Sequence, residues 1–179
     1  MRRRSLAAGA ILSALFLGAC GSPAPTTAPP TTTAAEPTNT AADATTTTGR
    51  SALDEVTKRG KPTVTVPDAP ATELKITDDV VGTGPALAEG DGATVHYVGY
   101  GQISKTQFDA SWDSGQPFPV TLVKGALIDG WVEGLAGMKV GGRRTLIIPG
   151  VKGYGALGRL PAIQPDETLV FVVDLVSIP

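Results

Sequence analysis

Val95-His96-Tyr97-Val98-Gly99, Phe108-Asp109-Ala110-Ser111 and Gly130-Trp131-Val132-Glu133-Gly134-Leu135 are the stretches whose reading decides the fold. The first belongs to a run, residues 94–98, that alternates apolar and polar residues with the two-residue period of a half-buried strand. Similar runs are Leu74-Lys75-Ile76 and Pro119-Val120-Thr121-Leu122-Val123. Residues 144–148 and 168–178 are rich in β-branched residues and bounded by Gly and Pro, as strands are. The third stretch opens the one good helix candidate. Asp129 is its expected N-cap, and Trp131, Leu135 and Met138 fall at i, i+4 and i+7 on one face. The pair Gly141-Gly142 is its expected stop, with a tight turn into a strand through Arg143-Arg144. Several strands around one short helix give an α+β domain.

Three more blocks follow in order: Met138-Lys139-Val140-Gly141-Gly142-Arg143-Arg144, Tyr154-Gly155-Ala156 and Thr168-Leu169-Val170-Phe171. No single block is specific, but six in order and in register are. Together they resemble the FKBP-type peptidyl-prolyl cis-trans isomerases, over residues 73–179. The resemblance implies an antiparallel β-sheet wrapped around one short central helix. It also implies a site. Tyr97, Asp109 and Tyr154 match its polar and catalytic positions, with the Tyr154 hydroxyl as donor to the substrate carbonyl. Phe108, Phe118, Leu127, Ile128, Ile163 and Phe171 match its substrate-binding wall, and Trp131 its floor. Of the nine aromatic residues, eight lie between Tyr97 and Phe171. Taken singly, each would read as ordinary core, and Asp109 as a solvated loop acid.

Some positions depart from the family pattern. Val120 stands where an aromatic is usual, Val123 follows Leu122 where glycine is frequent, and Gly101-Gln102-Ile103-Ser104 is an irregular approach to Phe108. A basic residue that often accompanies the aspartate is missing from Ser111-Trp112-Asp113-Ser114-Gly115. The loop Leu157-Gly158-Arg159-Leu160-Pro161 is expected to border the cleft and influence substrate choice.

Other chemistries lack their residues. His96 is the only histidine, so neither a His-containing triad nor a His-rich metal site can be assembled. Cys20 is the only cysteine. A P-loop needs glycine where Ser104 stands, and Gly82-Thr83-Gly84 lacks the third glycine of a dinucleotide fingerprint. No cofactor and no metal are expected.

The beginning of the chain speaks to location. Arg2, Arg3 and Arg4 precede an apolar run, residues 6–17, of signal-peptide length, ending in Leu17-Gly18-Ala19-Cys20. This matches a bacterial lipoprotein signal, residues 1–19, followed by a lipidated Cys20. A plain secretory signal is the alternative, and Arg3-Arg4 leaves both general and twin-arginine export open. Residues 22–49 contain 11 Thr, 7 Ala and 5 Pro, a composition too poor in apolar residues to build a core. Residues 20–59 are therefore expected to form a disordered tether, residues 51–71 an extended lead-in, and residues 60–179 the isomerase domain. Formal net charge is −2, and removing three arginines with residues 1–19 takes it to −2 − 3 = −5. That charge speaks against nucleic-acid binding and against electrostatic docking to anionic lipid. The expectation is a monomeric, extracytoplasmic, lipid-anchored isomerase that assists folding of exported proteins. Its partners would be their proline-containing segments and macrolides of the tacrolimus and rapamycin type. A non-catalytic module capturing proline-containing segments or partner proteins is the rival, and an envelope spacer the third reading.

Overall fold

A computed structural model describes the backbone of residues 40–179, with side chains from Arg50 onward. The expected signal segment, Cys20 and the expected tether as far as residue 39 lie outside the described residues. Helix α1 spans Thr40–Arg59. It is followed by strands β1 (Lys75–Val80), β2 (Gly92–Gly101), β3 (Gln107–Ala110) and β4 (Phe118–Thr121), helix α2 (Asp129–Leu135), and strands β5 (Arg143–Ile148) and β6 (Leu169–Ser177). All pairings are antiparallel, in the order β1-β5-β6-β2-β3, with β4 taking the first half of β2's edge and β3 the second. The expected α+β fold is present: a six-stranded antiparallel sheet with one short helix on its inner face.

Side-chain alternation sorts the central strands into two faces. Val95 and Tyr97 of β2, Leu146 and Ile148 of β5, and Leu169, Phe171, Val173 and Leu175 of β6 form the core under α2. Gly130 and Gly134 are what let α2 sit so close. A Cβ on Gly130 would collide with the Ile148 side chain, and one on Gly134 would lie 2.8 Å from Leu146 Cδ2. The helix ends earlier than its pattern implied. Ala136 has left the helical region and Gly137 turns to positive φ (75°), so Met138 is buried outside the helix. Asp129 is not the N-cap either. Ile128 holds that position in extended conformation, and Asp129 is the first helical residue, its charge facing the positive helix end. Arg144 closes the other end by donating from Nη1 to Gly134 O (2.8 Å) and Ala136 O (3.1 Å), while Asp78 accepts its Nε and Nη2.

The outer face corrects the reading of the N-terminal segment. Residues 40–59 are helical, not a disordered tether or an extended lead-in, and α1 packs on β6. Ala52 and Val56, at i and i+4, are buried, and Gly60 closes the helix with φ 74°. Pro62, Thr63, Thr65 and Pro67 then line a groove together with Thr145, Ile147 and Val172. Val170, Val172, Asp174 and Val176, the outward set of β6, are thereby buried as thoroughly as the inward set. Asp174 is the polar centre of this layer. Arg143 donates to both its oxygens at 2.9 Å, and Arg59 adds a bond at 3.3 Å plus one to Gly141 O at 2.6 Å. Burial pushes the Asp174 carboxyl up, against the pull of the two guanidinium groups. His96 lies in the same layer, stacked on Trp112 at 4.3 Å with Nδ1 3.0 Å from Ser111 Oγ, and burial holds its imidazole below the ordinary value. The only histidine is structural.

Arg59→Ala removes two charge-assisted bonds while Arg143 still holds Asp174, so the expected loss is about 1–3 kcal/mol. A chain begun at Gly60 should be weaker still, because it also uncovers the surface under Val56. Urea unfolding checks both; equal midpoints for the chain begun at Gly60 and the chain carrying α1 would show that α1 adds nothing to stability.

Candidate active site

All ten domain residues singled out from the sequence line one cavity of about 860 Å³: Tyr97, Phe108, Asp109, Phe118, Leu127, Ile128, Trp131, Tyr154, Ile163 and Phe171. They arrive from β2, β3, β4, the approach to α2, α2 itself, the loop after β5, and β6. Trp131 is 5% exposed and forms the floor. Its Nε1 is buried without a partner, so the indole offers the cavity no donor. Tyr97 and Phe171 stand edge-on to that indole, at 5.4 Å and 5.2 Å between centroids. Phe108 meets Phe171 edge-on at 5.5 Å, and Phe118 meets Tyr97 at 5.8 Å. These perpendicular contacts are favourable quadrupole geometries, and they fix the walls without filling the space between them.

The local sequence explains why the rings can crowd here. Gly99, the last residue of the first block, carries nothing where a Cβ would lie 2.7 Å from Phe108 Cζ and 2.8 Å from Phe171 Cε1. Strand β3 bulges at Phe108: Gly99 pairs with Asp109, and Tyr100 already with Gln107. A regular strand would send Phe108 and Asp109 to opposite faces; the extra residue lets both reach the cavity. Ser111 locks this arrangement, its Oγ accepting the Tyr97 N–H at 2.8 Å.

The polar part is small. Tyr97 donates its hydroxyl to Asp109 Oδ2 at 2.7 Å. Burial, the hydrogen bond and the charge of Asp109 push the Tyr97 phenol far above its ordinary range. Tyr154 is half-buried on the same wall, and no side chain among the described residues takes its hydroxyl. The sequence reading gave Asp129 only a helix-capping role and did not single out Ala162, Gly153 or the turn Gly125-Ala126, all of which also line the cavity. The loop expected to border the cleft does so through Arg159 and Leu160, and the Arg159 guanidinium carbon lies 6.0 Å from the Tyr154 ring centroid. Glu167 was missed as well. It is 2% exposed, and accepts Ile103 N (2.9 Å), Ser104 N (3.3 Å) and Gln164 N (2.7 Å). The irregular turn after β2 is thus tied to the loop that carries Tyr154 and Ile163. Val120 is buried in the core and is not part of the lining.

Residues 84–176 match the family model of FKBP-type peptidyl-prolyl cis-trans isomerases. The chain belongs to this family. It is 46% identical over 120 residues to an FK506-binding protein of Streptomyces anulatus, covering 66% of this chain and 97% of the relative. It is 45% identical over 120 residues to a probable FK506-binding protein of Corynebacterium glutamicum, covering 65% and 98%. A peptidyl-prolyl cis-trans isomerase of Pseudomonas syringae pv. tomato, known from its crystal structure, superposes with TM-score 0.53 at 29% identity, covering 79% of this chain and 98% of that one. The FKBP-type sheet and helix are therefore shared, and five of the six sequence blocks, all but Met138–Arg144, contribute to the aromatic cavity of this isomerase.

The Tyr97–Asp109 bond has a measurable consequence. The folded state favours the neutral phenol, so its contribution to stability is fully present below the ordinary tyrosine value of about 10. It is lost as pH rises above that value and through the raised folded one. Titration of phenolate absorbance should show a last, late step from Tyr97, above the ordinary tyrosine range. Tyr97→Phe should delete that last step, and its survival in the variant would refute the assignment.

Proposed function

We propose that this isomerase twists Xaa-Pro bonds of exported proteins in the aromatic cavity while anchored to the outside of a bacterial membrane through Cys20. The observation that carries the catalytic reading is an aromatic-walled cavity whose wall presents the Tyr154 hydroxyl, which no side chain among the described residues takes. Peptide rotation requires no nucleophile. Its barrier of about 18–20 kcal/mol is C–N double-bond character, and no bond is broken. A catalyst has only to favour the twisted amide over the planar one. Twisting makes the amide less polar, so the aromatic walls of Tyr97, Phe108, Phe118 and Phe171, once closed over by the bound peptide, destabilise the planar form more than the twisted one. Turnover of about a hundred per second would require lowering the barrier by roughly 5–7 kcal/mol.

In this mechanism the prolyl ring lies on the Trp131 face. Tyr154 donates to the carbonyl oxygen of the residue before proline. Asp109 keeps Tyr97 upright and organises the polar rim; no proton moves. The same shape and donors suit macrolides of the tacrolimus and rapamycin type, the ligand class after which the relatives are named. A purely binding module would need the same cavity, and catalysis is favoured because the Tyr154 hydroxyl is left available for substrate.

The test is an isomerisation assay with the chain lacking residues 1–20, on short peptides containing Leu-Pro or Phe-Pro. A rate no faster than buffer would overturn the enzyme reading. Tyr154→Phe keeps the ring and loses one hydrogen bond of about 0.5–1.5 kcal/mol, so kcat/KM should fall roughly two- to tenfold with the fold intact. The rate should be flat between about pH 5 and 9, where neither Asp nor Tyr normally titrates; a bell-shaped profile would contradict the mechanism.

The anchor rests on the lipobox ending at Cys20 and the apolar run before it. Cys20→Ala should move the protein from the membrane fraction to the soluble one without changing the thermal midpoint of the domain. A variant that stayed in the membrane fraction would mean a different anchor.

A further inference from the structure

We propose that Arg159 makes this isomerase favour an acidic residue immediately before the proline. The inference rests on the isomerase reading above and deepens it to a class of substrate. Three charged side chains line the cavity: Asp109, Asp129 and Arg159. Asp109 is engaged by the Tyr97 hydroxyl, and Asp129 lies in the first turn of α2. Arg159 is the single cation. It is exposed, and none of the ion pairs among the described residues includes it. Its root is fixed: Arg159 N donates to Ile163 O at 2.9 Å and Ile163 N to Arg159 O at 3.0 Å.

Position decides which substrate residue meets this charge. The guanidinium lies over the Tyr154 ring, and its field reaches the Tyr97 hydroxyl, where it opposes the raised phenol. Tyr154 is the donor to the carbonyl of the residue before proline. The Cα of that residue is bonded to the same carbonyl carbon, so its side chain starts within a few bonds of the Tyr154 hydroxyl and in reach of the Arg159 guanidinium beside that ring. A planar guanidinium accepts a carboxylate by two parallel hydrogen bonds, and it repels an ammonium. Glutamate and aspartate should therefore be favoured there over their amides, and lysine disfavoured. An exposed pair is worth roughly a two- to fivefold change in rate, and salt should screen it.

The experiment measures kcat/KM on peptides identical except for Glu, Gln, Lys or Leu before proline, at low and high salt. The chain lacking residues 1–20 is compared with its Arg159→Gln and Arg159→Lys forms. Ratios are taken within each variant, so a general loss of activity cancels. The expected result is a Glu/Gln ratio of roughly two to five that falls toward one at high salt and in Arg159→Gln, and is largely kept in Arg159→Lys. A ratio of one in the unaltered protein, or a ratio that survives Arg159→Gln, overturns the inference while leaving the isomerase reading in place. No catalysis on the Leu peptide overturns both.

Discussion

The hydrogen bond from Tyr97 to Asp109 is the interaction on which the cavity depends. Asp109 is exposed at the rim, so its carboxylate keeps solvent on one side and needs a partner only where it meets the rings. At 2.7 Å the phenol supplies a short, charge-assisted partner from within the wall itself. One bond therefore does two things. It satisfies the acid, and it holds the Tyr97 ring upright against Trp131, Phe118 and Phe171. The bulge at Phe108 and the Ser111 clamp are what place Asp109 within reach.

Around that bond, closeness is created by absence. Gly99 admits two phenyl rings where a methyl group would push them apart, and Gly130 and Gly134 bring α2 down onto Ile148 and Leu146 so that Trp131 can lie as a floor. Space above the floor is kept open because the rings meet edge to face. The recurring glycines of the sequence blocks are thus part of the site's geometry as much as its aromatics are.

This explains how much was legible beforehand. The strands with clean alternation, the aromatic set and the short helix were readable because each is set by a local pattern. What escaped depends on partners far along the chain. Ala52 and Val56 give α1 only a two-residue stripe within a Thr- and Ala-rich stretch, and its anchor, Arg59, finds Asp174 115 residues later. Strand β3 was hidden because its bulge breaks the period-two pattern at Phe108. Glu167 looks like a surface acid until its three backbone donors are seen. The N-cap was misplaced by one residue because Ile128 caps through backbone conformation alone, which no side chain announces.

The missing basic residue after Asp109 also acquires a physical meaning. Its absence would matter if Asp109 needed a cation, but a neutral phenol already satisfies the acid. The chemistry is better served that way. A planar amide concentrates negative charge on its carbonyl oxygen, and a twisted one does not, so a guanidinium aimed at that oxygen would hold the planar ground state. A phenol such as Tyr154 can orient the carbonyl with a smaller bias toward planarity. Arg159, the one cation of the lining, is exposed at the rim instead, stacked over Tyr154 rather than set in the floor. There its charge can act on the substrate's side chain, away from the aromatic walls that surround the reacting bond.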